Sequence, residues 1–150
     1  YWWDRTTRAV HAKDLTVGTT RTVAEFTRGG LYDMRVSHDG KKLTLMQENR
    51  LWIVNVSTGE TREMQGPSRL LGVAWSPDDR RIVTIETGPP EIASYPVDGG
   101  EPVRRPFPED HRGVWLSPDG KRMATMHMQW LIQVWALENF LPAAVGSKKK

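Results

Sequence analysis

The sequence predicts an all-β chain of short antiparallel strands, organised in units of about 40 residues. Three observations carry this. One tetrapeptide recurs as Ser37-His38-Asp39-Gly40, Ser76-Pro77-Asp78-Asp79 and Ser117-Pro118-Asp119-Gly120, spaced by 39 and then 41 residues. A second landmark keeps step, because Gly18, Gly59 and Gly100 follow one another at intervals of 41. Between the landmarks the apolar runs are only 3 to 7 residues long and turn residues interrupt them every 8 to 12 positions. Helices need longer periodic stretches, so a helical fold is excluded.

The elements follow in order. Tyr1 to Trp3 reads as the end of a strand, and Ala9 to Leu15 as the next. Val17-Gly18 turns the chain into Thr22-Val23-Ala24. Met34-Arg35-Val36 then leads into the first tetrapeptide, and Lys41 to Met46 leaves it. Leu51 to Val56, the turn Thr58-Gly59 and Thr61 to Met64 close that unit. The same sequence of events runs through Val73-Ala74-Trp75, Arg80 to Ile85, Ile92 to Val97, Gly99-Gly100 and Pro102-Val103-Arg104. It starts a third time with Val114-Trp115-Leu116 and Lys121 to Met126, and Leu131 to Leu137 fits the next slot. The tetrapeptide has a mechanism: Pro presets φ at the first corner, Asp bonds nearby backbone, and Gly accepts φ > 0. Asp79 is the next-best residue at the Gly position, and His38 loses only the preset φ.

Four short strands in such a unit is the arithmetic of a propeller blade. Residues 1–27, 31–65, 70–105 and 112–137 then make about 3.5 four-stranded antiparallel blades. Residues 1–142 are expected to form a partial β-propeller, and 143–150 a disordered basic tail. Closed rings have roughly 4 to 8 blades. The expectation is therefore the C-terminal part of a larger propeller, completed by missing N-terminal blades or by a second copy.

At these residues the chain resembles the WD-like repeats of the TolB β-propeller type. Residues 76–79 and 117–121 match that family's Ser-Pro-Asp-Gly-Lys turn between the first two strands of a blade, and 37–41 match with His for Pro. The resemblance covers about residues 1 to 142. It implies a fold and leaves function open, because such propellers serve as interaction platforms, periplasmic assembly factors, sensor portions of kinases and gates on peptidases. The ending Trp135-Ala136-Leu137-Glu138-Asn139-Phe140-Leu141-Pro142 also resembles the final blade of many bacterial propeller proteins.

Composition narrows the chemistry. Net charge is +3, and it comes from Lys148, Lys149 and Lys150, without which acidic and basic residues balance. Net charge therefore argues for no nucleic-acid surface. The pairs Lys41-Lys42, Arg80-Arg81 and Lys121-Arg122 recur at one blade position, where each follows a turn and is expected to be solvated. With no cysteine, a disulfide framework, a thiol nucleophile and a thiolate metal site are all excluded. No window reaches 18 consecutive apolar residues, so no membrane-spanning helix is expected. Localisation is left open.

Individual residues follow the same logic. Trp75 and Trp115, each just ahead of a turn, read as one repeated slot whose rings pack between blades, with Val36 one residue later in phase. Trp52 and Trp135 fall in third strands and are expected against a neighbouring blade, while one of Trp2 and Trp3 should be exposed. Met123, Met126, His127 and Met128 look like a soft-metal handle, but strand alternation parts His127 from Met126 and Met128. A Met-filled blade core with an edge histidine is the expectation. His11, His38 and His111 are scattered, and Asp39, Asp78 and Asp119 are turn residues rather than calcium ligands. Ser68, Ser94 and His111 have no spacing that supports a nucleophile and base, and no Gly-x-Ser-x-Gly or phosphate-cradling loop occurs. No catalytic, cofactor-binding or metal-binding residue is assigned. The function expected is a non-catalytic platform for a protein or peptide at a propeller face. The alternative is a regulatory or gating propeller of a larger bacterial enzyme such as a Ser/Thr kinase or peptidase.

Overall fold

The computed structural model describes residues 1–27, 29–65 and 69–129. They form thirteen strands in four sheets, every pairing antiparallel. Sheet I holds β1 (Trp2–Asp4), β2 (Ala9–Lys13) and β3 (Thr20–Glu25). Sheet II holds β4 (Leu31–Val36), β5 (Lys42–Gln47), β6 (Arg50–Asn55) and β7 (Thr61–Glu63), in that order. Sheet III repeats the pattern with β8 (Leu70–Trp75), β9 (Arg81–Glu86), β10 (Glu91–Pro96) and β11 (Val103–Pro106). Sheet IV consists of β12 (His111–Leu116) and β13 (Met123–His127). The expected strand Leu131 to Leu137, Trp135, Ser68 and the 143–150 tail lie outside the described residues.

Each sheet packs face to face on the next, and this explains the sequence pattern. The middle strands read as continuous apolar runs because both of their faces are covered. In β9, Ile82 faces sheet II, while Val83 and Ile85 face sheet IV. In β5, Leu43 and Leu45 face sheet I, while Met46 faces sheet III. Three separate apolar cores result. The II–III core is the largest, with Leu51, Ile53, Val73, Trp75, Ile82 and Tyr95 at its centre. Val10, Val23, Leu43, Leu45 and Val54 build the I–II core. Among the described residues the III–IV core has only Ala74, Ile85 and Val114 buried. Each large buried side chain contributes about 1.5–3 kcal/mol, so cohesion falls from the middle of the stack towards sheet IV.

The tetrapeptide turns form as their chemistry requires. Gly40 and Gly120 sit at φ +70° and +68°, and Asp79 takes the same region at +55°. The Ser hydroxyl donates to the Asp carboxylate in all three turns: Ser37 to Asp39 at 2.7 Å, Ser76 to Asp78 at 2.6 Å and Ser117 to Asp119 at 2.5 Å. That hydroxyl also accepts the amide five residues on, from Lys42, Arg81 or Arg122, each at 2.9 Å. The first two Gly turns share a further device that sequence reading passed over. Asp14 and Asn55 each accept two backbone amides with the side-chain oxygen, from Thr16 and Val17 and from Ser57 and Thr58.

Candidate interaction surface

The first strands of the sheets lie side by side, β4 against β8 and β8 against β12. Face-to-face sheets normally stand about 10 Å apart. Here a Cβ placed on Gly72 of β8 would lie 2.7 Å from the Gly113 Cα of β12. Two glycines thus bring the backbones into contact, and sheets III and IV converge at their first strands. Between sheets II and III the Trp75 indole N–H donates to the Arg35 carbonyl at 3.3 Å.

Above this seam lies an exposed aromatic and basic surface. The Trp115 ring folds back over Gly113, where a Cβ would collide with it, and remains 43% exposed. The Arg35 guanidinium of sheet II reaches across to 5.8 Å from the centre of that ring. Asp33 holds Arg35 in place, with oxygen–nitrogen distances of 3.2 and 3.3 Å. On the same strand Tyr32 is 71% exposed.

The pairing register corrects the tryptophan assignment. Trp75 pairs with Ile82, Val36 with Leu43 and Leu116 with Met123, so these three share one slot. Trp115 pairs with Ala124 and stands one residue earlier, level with Ala74 and Arg35. Parity then decides their fates: Trp75 is buried against sheet II, and Trp115 points out. Trp2 is exposed and tilted on His11, as one of the leading pair had to be, while Trp3 packs on Phe26. Trp52 packs half-buried on the I–II core, with its indole N–H unpaired among the described residues.

A second correction concerns β13. Met123 and Met126 are exposed, so they fill no core. His127 stacks on His111 of β12 with ring centres 5.1 Å apart, and His111 bonds the Thr125 hydroxyl at 2.8 Å. The basic pairs are not uniformly solvated either. Arg81 turns back onto the hydroxyl and carbonyl of Ser94, at 2.7 and 2.6 Å. Ser94 therefore sits in a structural bond, while the partners of His111 are Thr125 and His127. Among the described residues no three metal-capable side chains gather.

Two polar constellations were invisible to sequence reading. Asp79 accepts the amides of His38 and Asp39, each at 2.9 Å, and faces the His38 Nδ1 at 2.8 Å. Burial works to raise the Asp79 pKa, but those hydrogen bonds outweigh it and hold the carboxyl below its ordinary value. The available signal was a pair of departures from the turn pattern, His38 and Asp79, lying 41 residues apart. The other constellation is buried in sheet III. Glu86 accepts from Thr84 at 2.8 Å and from the Tyr95 hydroxyl at 2.7 Å, and Arg104 donates to that hydroxyl at 2.6 Å. Burial, reinforced by Glu86, pushes the Tyr95 phenol well above its ordinary pKa.

No protein-family model matches the sequence, and no curated protein does. Solved structures resemble the fold. A protein of unknown function from Desulfotomaculum acetoxidans DSM 771 aligns over 77% of this chain and 38% of its own, with a TM-score of 0.57 and 19% identity. A candidate 6-phosphogluconolactonase from Bacteroides fragilis NCTC 9343 aligns over 69% of this chain and 33% of its own, at 0.54 and 18% identity. The tricorn protease aligns over 75% of this chain and 12% of its own, at 0.58 and 16% identity. This chain thus spans well under half of each of them. At such identities the likeness is one of fold: a distant similarity to several β-sheet proteins.

Proposed function

We propose that the four sheets are blades 1–27, 31–65, 70–105 and 112–137 of a β-propeller, fanned about an axis near β4, β8 and β12. In this reading the chain is a non-catalytic platform on which a protein or peptide docks over Trp115, Arg35 and Tyr32. The observation that carries the proposal is the Gly72–Gly113 backbone contact. It supports a wedge-shaped stack, since parallel layers would keep those strands about 10 Å apart. Exposed Trp, Tyr and Arg are the residue types that dominate binding energy at protein interfaces. Arg35 is already oriented by Asp33, so less side-chain freedom is lost on docking.

The test uses peptides selected from a displayed random library against the whole chain. Selected peptides should lose about tenfold or more in affinity on Trp115→Ala, a change of roughly 1.4 kcal/mol. The variant's melting temperature should stay close to that of the parent. Binders indifferent to Trp115→Ala, Tyr32→Ala and Arg35→Ala would overturn the reading. A second reading, a gating or regulatory segment of a larger enzyme, draws on the likeness to a protease of which this chain spans 12%. A catalytic motif in the reading frame upstream of Tyr1 would favour it.

A further inference from the structure

We propose that His111 and His127, paired across β12 and β13, form a two-imidazole site for a late first-row divalent metal ion, and that Cu²⁺ is the ion it holds most tightly. The two residues stand directly opposite in the register, so both side chains leave the same face of sheet IV. Their rings stack at 17° with centres 5.1 Å apart.

The repeat does not call for this pair. The same register position holds Leu31 opposite Gln47 in sheet II and Leu70 opposite Glu86 in sheet III. Gln47, Leu70 and Glu86 are buried there, whereas His111 is half-buried and His127 exposed. Of these three sheets only sheet IV sets two imidazoles at this place, and it sets them where an ion from solution can reach.

The contacts of each ring decide which nitrogens are on offer. The Thr125 hydroxyl occupies the His111 Nδ1 at 2.8 Å, and Phe107 stands edge-on against that ring with centres 5.3 Å apart. One imidazole is thus already oriented, and Nε2 is the nitrogen left to it. A partner on the second ring nitrogen is how proteins aim a ligating histidine and raise its basicity. His127 carries no hydrogen bond among the described residues, so its ring can turn out of the stack to share an ion with its neighbour. Residues opposite on an antiparallel pair have Cβ atoms about 4.5–5.5 Å apart, which lets both nitrogens approach one ion to about 2 Å. Among the described residues no third metal-capable side chain joins them. Two nitrogens, with water in the other positions, suit the tetragonal preference of Cu²⁺, and the general order of affinities places Ni²⁺ and Zn²⁺ behind it. Met126 takes no part, because it adjoins His127 on the strand and points to the opposite face. This inference stands on the pairing of β12 with β13 and is independent of what docks on Trp115.

The experiment titrates Cu²⁺ into the metal-free full chain by calorimetry. One equivalent should bind, and His111→Ala and His127→Ala should each lower its affinity at least tenfold. His127→Ala changes an exposed position, so without metal its Tm should match that of the parent and a folding defect is not an alternative cause. Thr125→Val should weaken binding by about tenfold or more, a loss that a purely aromatic pair would not show. His11→Gln, in sheet I, should bind as the parent does. Saturating Cu²⁺ should raise the Tm of the parent but not of His127→Ala, and should slow exchange of the Met123–His127 amides. Ni²⁺ and Zn²⁺ should bind more weakly. A parent chain with no saturable Cu²⁺ binding would overturn the proposal. So would equal affinity in the His111→Ala/His127→Ala double variant, or binding that is lost with His11 instead. An affinity unmoved by Thr125→Val would overturn the assignment of the His111 Nε2 as donor.

Discussion

Asp79 and Gly120 stand at one turn position and serve their neighbours in opposite ways. Where the preceding turn offers the free amide of His38, the next one presents a carboxylate to receive it. Where the preceding corner is Pro77, with no N–H, the next one presents a bare Cα against the ring. The pairs should therefore be coupled. His38→Pro and Asp79→Gly are each expected to destabilise by about 1–2 kcal/mol, since each strips partners from a charge-assisted bond. Together they should cost at least about 1 kcal/mol less than the sum, read from a urea double-mutant cycle. Additivity would show that the two turns do not sense each other. Gly120→Ala should likewise cost more than Gly40→Ala, because both meet the φ penalty but only Gly120 is packed. Acid adds a further test. The Ser76 hydroxyl and Arg80 amide hold Asp78 below its ordinary 3.8, the Ser117 hydroxyl and Lys121 amide do so for Asp119, and the Lys41 amide and Ser37 hydroxyl for Asp39. A folded pKa below the unfolded one means stability that is complete above about pH 4 and lost as pH falls through the folded value. Urea midpoints should fall steeply below pH 4, and less steeply in Asp79→Gly.

At the scale of elements, what the sequence made legible follows the range of the interaction. The Ser-Pro-Asp turns and Gly turns act within five residues, and the strands they delimit stand where the spacing put them. Trp115 and Trp75 occupy neighbouring slots rather than one, because Trp75 directly precedes Ser76 whereas Leu116 stands between Trp115 and Ser117. One residue along a strand moves a side chain to the other face, and the distance to the turn serine marks that offset in the sequence. The exposed surface built on Trp115 was hidden for a different reason: Arg35 lies two sheets away in the chain and meets that ring only in the fold. Trp75→Ala should thus cost about 3–5 kcal/mol, as loss of a buried aromatic does. Trp115→Ala should cost under about 1 kcal/mol, as exposed positions do; equal losses would contradict the register. Thr84, Glu86 and Tyr95 escaped notice because each looks ordinary in a strand, and they meet only once β9 and β10 pair. Tyr95→Phe should cost about 1–3 kcal/mol by leaving the buried Glu86 with one donor fewer.

Across the described residues, cohesion resides in three cores of unequal size, and the smallest joins sheets III and IV. Amides of β12 and β13 should exchange sooner than those of β5, β6 and β9, because local opening follows buried contact. Uniform protection would indicate one cooperative unit. The paired corners of the turns carry a consequence for how such a chain can change its length. Deleting the stretch that bears sheet III would bring His38 against Gly120, leaving an amide with no acceptor. Duplicating the same stretch would set Pro77 before a second Asp79, leaving that carboxylate without the amide and ring nitrogen that His38 supplies. What can be spliced in or out without penalty is therefore measured from seam to seam rather than from repeat to repeat. A lineage that gained or lost a unit here would have had to rewrite a corner at the same time.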